Sequence, residues 1–145
     1  MKLVCAPEDF AFAEDGALNV VLYGQGSPQL GKRSARGSAG QAAMSQILRA
    51  RLNVAPRAWD FLSIALAVVT ADVAEWRSES PDGWTRELDL TIAVADPDFW
   101  NSQARAIEAA LQFLSTDRWR LRFVPRGLQP APPRNPKYPQ ESCVA

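Results

Sequence analysis

The stretch GSPQLGKR, Gly26 to Arg33, has the spacing of a phosphate-binding loop up to its last position. In the pattern G-x-x-x-x-G-K-[ST] the glycines let backbone N–H groups converge on phosphate oxygens, the lysine adds charge and the hydroxyl holds Mg²⁺. Gly26, Gly31 and Lys32 supply the first part, but Arg33 stands where the hydroxyl belongs and Ser34 comes one place late. The loop is a candidate nucleotide site without its metal ligand, set against the plainer reading of a flexible basic loop.

A second constellation is DVAEWRSESPDGWTRE, which gathers Asp72, Arg77, Asp82, Trp84 and Arg86 around one turn. Arg and Trp dominate interface hot spots, so the group could meet a partner. Arg86 shares a strand face with Leu88, and a buried Arg needs a carboxylate, which Asp72 or Asp82 would provide. The competing reading is a structural polar cluster that locks a helix-to-strand corner. A third is the row Arg118, Arg120, Arg122. It could grip a polyanion, but Glu87 and Asp89 form a matching acidic row, and on neighbouring strands the two rows become cross-strand ion pairs.

Histidine is absent from the chain. That removes Ser-His-Asp and Cys-His nucleophiles and histidine-ligated metals. The two cysteines, Cys5 and Cys143, make neither a thiolate zinc site nor a disulfide framework. Net charge is +0, which takes away the electrostatic case for nucleic acid or an anionic membrane. "MKLVCAPEDF" has no long apolar core of a secretory signal, and Phe61 to Ala71 is too short to span a bilayer. These features point to a cytoplasmic, non-catalytic module with reduced thiols.

The elements that carry these residues follow from periodicity. KLVC and ALNVVLYG read as strands, and Glu14-Asp15-Gly16 as the turn of a hairpin between them. Met44, Ile47 and Leu48 have helical spacing from about Ala39. Pro56 opens a helix that is apolar almost all round between Asp60 and Asp72, which predicts burial on most sides. Leu88, Leu90, Ile92 and Val94 alternate with Glu87, Asp89 and Thr91 as a half-buried strand. Asp96 and Pro97 cap a helix with a stripe at Trp100, Ala104, Ile107, Leu111 and Leu114. Trp119, Leu121 and Phe123 make the last strand. The positions of Trp59, Trp84, Trp100 and Trp119 all face the expected core.

The order ββααβαβ predicts an α+β fold. It would be a mostly antiparallel sheet of about four strands, with three helices packed on one face, as a single domain over residues 1–125. Residues 126–145 hold Pro130, Pro132, Pro133, Pro136 and Pro139 and read as a Pro-rich linker or tail.

The segment WDFLSIALAVVTADVAEWRSESPDGWTRELDLTIAVADPDFW, followed by LQFLSTDRWRLRFVP, resembles the N-terminal region of the 7-cyano-7-deazaguanine synthase-like proteins of bacterial anti-phage defence islands, including the Qat system. The resemblance rests on Asp60, Asp72, Arg77, Asp82, Trp84, Arg86, Asp96, Trp100, Asp117, Trp119 and Phe123 among others. It covers Trp59 to Pro125 well and the earlier residues loosely. It implies an accessory domain that recognises a substrate or a partner protein. An ATP-pyrophosphatase domain would follow, with an S-G-G-x-D-S loop for ATP and a cysteine cluster for zinc. Neither motif occurs in these residues, so the resemblance places ATP and zinc in that other domain and carries no catalytic residue onto this chain. On this reading Cys143 to Ala145 begin the first strand of the next domain. The expected partners are that domain and another defence-system protein. The alternatives are a stand-alone protein–protein interaction module and a small nucleotide binder using the Gly26–Lys32 loop.

Overall fold

A computed structural model describes residues 1–12, 16–24 and 38–137. Four strands, β1 (Lys2–Ala6), β2 (Leu18–Val21), β3 (Glu87–Ala93) and β4 (Arg118–Val124), form one sheet in the order β2-β1-β3-β4. Helices α1 (Ser38–Arg49) and α2 (Pro56–Ala74) join β2 to β3, and α3 (Pro97–Ser115) joins β3 to β4. A single 3₁₀ turn, Arg77–Glu79, follows α2.

The order along the chain is the one read from the sequence, but the sheet is not antiparallel. Every pairing, β1 with β2, β1 with β3 and β3 with β4, is parallel. The fold is α/β rather than α+β, and no hairpin joins β1 to β2. Residues 7–17 are long enough to carry the chain back to the starting edge, which a parallel neighbour requires. Gly16 does adopt the left-handed backbone, φ +79°, but as part of that return. Glu14 and Asp15 lie outside the described residues.

The error has a physical cause. Strands of a parallel sheet normally have both faces covered and read as unbroken apolar runs. Here only one face is covered by helices, so the strands alternate as antiparallel ones do. The connections β2→β3 and β3→β4 step the same way across the sheet, and crossovers of one hand then put α1, α2 and α3 on one side. Leu3, Cys5, Val20, Leu88, Leu90, Ile92, Trp119, Leu121 and Phe123 from the sheet meet Ile64, Ala67 and Ala71 of α2 and Trp100 of α3 in one core. The β1→β2 connection steps the other way, so the same hand sends it to the opposite side. Ala6 and Ala93, which alternate toward that side, are buried accordingly.

The rest of the open face is covered by charge. Glu87 pairs with Arg118 at 3.0 Å and Arg120 at 3.2 Å, and Arg120 Nε lies 2.6 Å from Asp89. The register sets Glu87 beside Arg118 and Asp89 beside Arg120, so the expected cross-strand pairing holds on parallel strands. The outer edge of β4 is closed by α3. Asn101 Nδ2 donates to the Phe123 carbonyl at 2.9 Å, and Phe123 N–H donates back to Asn101 Oδ1 at 3.0 Å. Leu121 N–H donates to Glu108 Oε1 at 2.7 Å.

α2 differs from its expectation too. It is apolar almost all round, yet among the described residues no layer covers its outward side, and Phe61, Val69 and Val73 are exposed there. The tail does not leave the domain at β4. Gly127 N–H donates to the Val94 carbonyl at 3.0 Å, Leu128 packs on the core, and Lys137 N–H donates to the Arg51 carbonyl at 3.1 Å. Between these anchors Pro130, Pro132 and Pro133 face Leu48, Leu52, Val54 and Trp59 across a mostly apolar cleft of about 360 Å³.

Candidate functional site

Two carboxylates are almost fully buried, Asp60 at 1% exposure and Asp117 at 0%. A buried carboxylate in an unassigned fold is the first place to look for acid–base chemistry. Both are committed to structure instead. Asp60, one turn into α2, accepts from Ala95 N–H at 2.6 Å, Asp96 N–H at 3.1 Å and Trp100 Nε1 at 2.9 Å. It ties the start of α2 to the β3–α3 turn at the carboxyl end of the sheet. Asp96 then caps α3 through Phe99 N–H at 3.2 Å and takes two bonds from Arg57.

At the opposite, amino end of the sheet Asp117 is the hub. Its Oδ1 accepts from Arg86 N–H at 3.0 Å and Arg77 Nη1 at 2.9 Å, and its Oδ2 from Arg86 Nε at 3.1 Å, Arg86 Nη2 at 2.6 Å and Arg77 Nη2 at 3.0 Å. Burial alone would raise the Asp117 carboxyl, but the Arg86 side-chain and backbone bonds outweigh it and hold it below its ordinary range. Arg86 also donates through Nη1 to the carbonyls of Asp72 and Glu75, and through Nη2 to Asp72 Oδ1 at 2.6 Å. Those two carbonyls are among the last of α2, which has no basic residue in its final turn, so Arg86 completes that helix end.

Of the residues singled out in the sequence, the structure joins Asp72, Arg77 and Arg86 in this network. Asp82 does not pair with Arg86. Its Oδ1 accepts from Trp84 N–H at 2.9 Å and Thr85 N–H at 2.7 Å, closing the turn in which Gly83 has φ +70°. Those backbone bonds bring the Asp82 carboxyl down to about 2. Asp117, the principal partner of Arg86, enters the sequence reading only among the residues that carry the resemblance and not as a partner of Arg86, because an acid just after a helix end reads as a turn residue. Its position in S-T-D before the arginine strand was the available signal. Gly26, Gly31 and Lys32 lie outside the described residues.

Trp84 is not in the core. The turn at Gly83 breaks the strand's alternation, and the ring stands 64% exposed. It is nonetheless held. The Arg77 guanidinium lies over it, 5.7 Å from the ring centroid, and Arg77 Nη1 donates to the Trp84 carbonyl at 3.0 Å. Arg77 Nη2 also donates to the Ser115 carbonyl at 2.9 Å. The ends of the two helices leave further apolar side chains exposed, Val73 and Trp76 at and just past the end of α2 and Phe113 and Leu114 near the end of α3, with Trp76 75% and Phe113 86% exposed. The network is thus structural inside and presents a fixed aromatic and aliphatic surface outside.

Among the described residues, no group of three or more His, Cys, Asp or Glu side chains could hold a metal ion, and no helix is long and apolar enough to cross a membrane. Comparison with protein-family models, curated proteins and solved structures finds no match to this chain.

Proposed function

We propose that this domain works by recognition, docking another protein on the outer side of α2 and the adjoining ends of α2 and α3. The observation that carries this reading is α2 itself. Its composition is that of a helix buried on most sides, yet one long side, with Phe61, Val69 and Val73, is exposed among the described residues, and Trp76 just past its end is exposed too. The buried carboxylates and their arginines are consumed in holding α2 at both ends, which favours a docking role over acid–base work. The resemblance to deazaguanine synthase-like defence proteins names the expected partner class, an ATP-pyrophosphatase domain or a second protein of such a system.

Calorimetry of the chain against a purified deazaguanine synthase-like ATP-pyrophosphatase domain encoded beside it tests this directly. Binding that weakens at least tenfold in a Val69→Asp variant of unchanged melting temperature is expected. Release of pyrophosphate from Mg-ATP by this chain alone would overturn the reading.

One observation favours a second reading. The Gly26–Lys32 stretch lies along the chain between a parallel strand, β2, and a helix, α1, the strand-then-helix order in which phosphate-binding loops occur. Heat on titration with Mg-ATP, lost in Lys32→Ala, is the result this reading requires.

A further inference from the structure

We infer that the surface around Trp84 takes a basic amphipathic helix of a partner protein. The inference rests on the docking role proposed above and names the partner's chemistry.

Two features of the patch carry it. The first is rigidity. An exposed tryptophan is usually free to rotate, and ordering it on binding costs affinity. Here Asp82 fixes the Trp84 backbone, Arg77 covers the ring, and Asp117 clamps Arg77 with two bonds. Asp117 is in turn clamped by Arg86. A pre-ordered exposed tryptophan is the kind of anchor on which interface hot spots are built. Val69 and Val73 lie exposed one turn apart on α2, and Trp76 stands exposed just past the helix end, an apolar surface against which a helix can lay its own stripe.

The second feature is the sign of the rim. The exposed charged side chains from Asp72 to Asp82 are Asp72, Glu79 and Asp82; Asp72 is paired with Arg86 and the basic residue among them, Arg77, with Asp117, which leaves Glu79 and Asp82 as the acids outside the arginine pairs. The end of α3 adds no charge, since Gln112 to Thr116 are uncharged. Asp82, brought down to about 2 by its backbone bonds, stays ionised under all physiological conditions. Arg86, two residues from Trp84, is buried on Asp117 and Asp72, and Arg118, the first basic residue after α3, belongs to the open side of the sheet and pairs with Glu87. An apolar centre with an acidic rim selects a helix whose apolar stripe is flanked by Lys or Arg, and rejects one flanked by carboxylates.

The test uses two synthetic 18-residue helices with the same leucine stripe, one with lysine flanks and one with glutamate flanks. Each is titrated into the full chain by calorimetry in low and high salt. The lysine peptide is expected to bind at least tenfold tighter, with the advantage shrinking several-fold in high salt and in a Glu79→Gln/Asp82→Asn variant, whose Asn can still close the turn. Trp84→Ala, checked for unchanged melting, is expected to weaken binding at least tenfold. Equal or tighter binding of the glutamate peptide would overturn the basic-helix inference while leaving the docking role standing. Loss of neither peptide's binding in Trp84→Ala and Val69→Asp, or no binding at all, would remove both. A concentration-dependent dimer that dissociates on Trp84→Ala would assign the surface to a second copy of this chain and overturn the inference.

Discussion

Arg86 and Asp117, 31 residues apart, are joined by three hydrogen bonds: the Arg86 backbone N–H, Nε and Nη2 all end on the Asp117 carboxylate. Neither side chain is more than 4% exposed. The pair joins the start of β3 to the start of β4, and through Arg86 Nη1 it closes α2 as well. Asp60 does the corresponding job at the other end of α2. The central helix is therefore pinned lengthwise by two buried carboxylates, one at each end of the sheet.

Asp117→Asn is expected to cost about 3–5 kcal/mol, because it leaves the buried Arg86 charge with only the exposed Asp72 carboxylate as counter-ion. Urea unfolding measures it. Wild type should show a matching pH dependence. The folded-state carboxyl sits below its unfolded value, so its stabilising contribution is complete above roughly pH 4 and is lost as pH falls through the folded value. The acid limb of a stability–pH curve should therefore flatten in Asp117→Asn.

Asp60→Ala leaves three donors unanswered: two backbone N–H groups of the β3–α3 turn and the Trp100 indole. A loss of about 3 kcal/mol or more is expected. Asp60→Asn, which restores acceptor oxygen at the same place, should recover part of it. Trp100 fluorescence reports whether the indole has lost its partner.

Gly127→Val should release the tail. An added Cβ at Gly127 would overlap the Val94 Cα and carbonyl carbon, against which the glycine lies flat. Faster amide exchange at Gly127 and Lys137, and faster tryptic cleavage after Arg134, are expected, with the sheet still protected. Unchanged exchange at Lys137 would mean that the two anchors of the tail are independent.

Cys5 is fully buried, and burial pushes its thiol up to about 12. In a Cys143→Ser background it should resist thiol reagents at pH 8 while folded and react at once in urea. The rate in water then reports the opening of β1.

Side-chain period revealed which residues face the core but not which way the strands run. Leu88, Leu90 and Ile92 alternate identically whether β4 lies parallel or antiparallel to β3, so the elements, most core residues and the facing of the Glu87–Asp89 row by the arginine row were legible while the direction was not; Leu114, placed by spacing on the core stripe of α3, stands exposed at the helix end. Direction is set by the connections, and the length of residues 7–17 was the neglected clue. The corner cluster was half legible. Asp72, Arg77 and Arg86 were readable from proximity along the chain, but Asp117 arrives from a distant segment. Trp84 misled for a local reason, since alternation was extended backward through a turn at Gly83. The outward side of α2 was misread because composition shows that a helix wants cover, and not whether its own chain supplies it.

Asn101 makes β4 a dead end for strand growth. Its amide answers the Phe123 N–H and carbonyl as a neighbouring peptide would, and Glu108 answers Leu121. A second molecule finds no strand to copy itself onto along that border. At high concentration, contacts between molecules are thus diverted to helix surfaces, where they can be reversible and finite, and away from the open-ended stacking that turns a sheet border into a fibre.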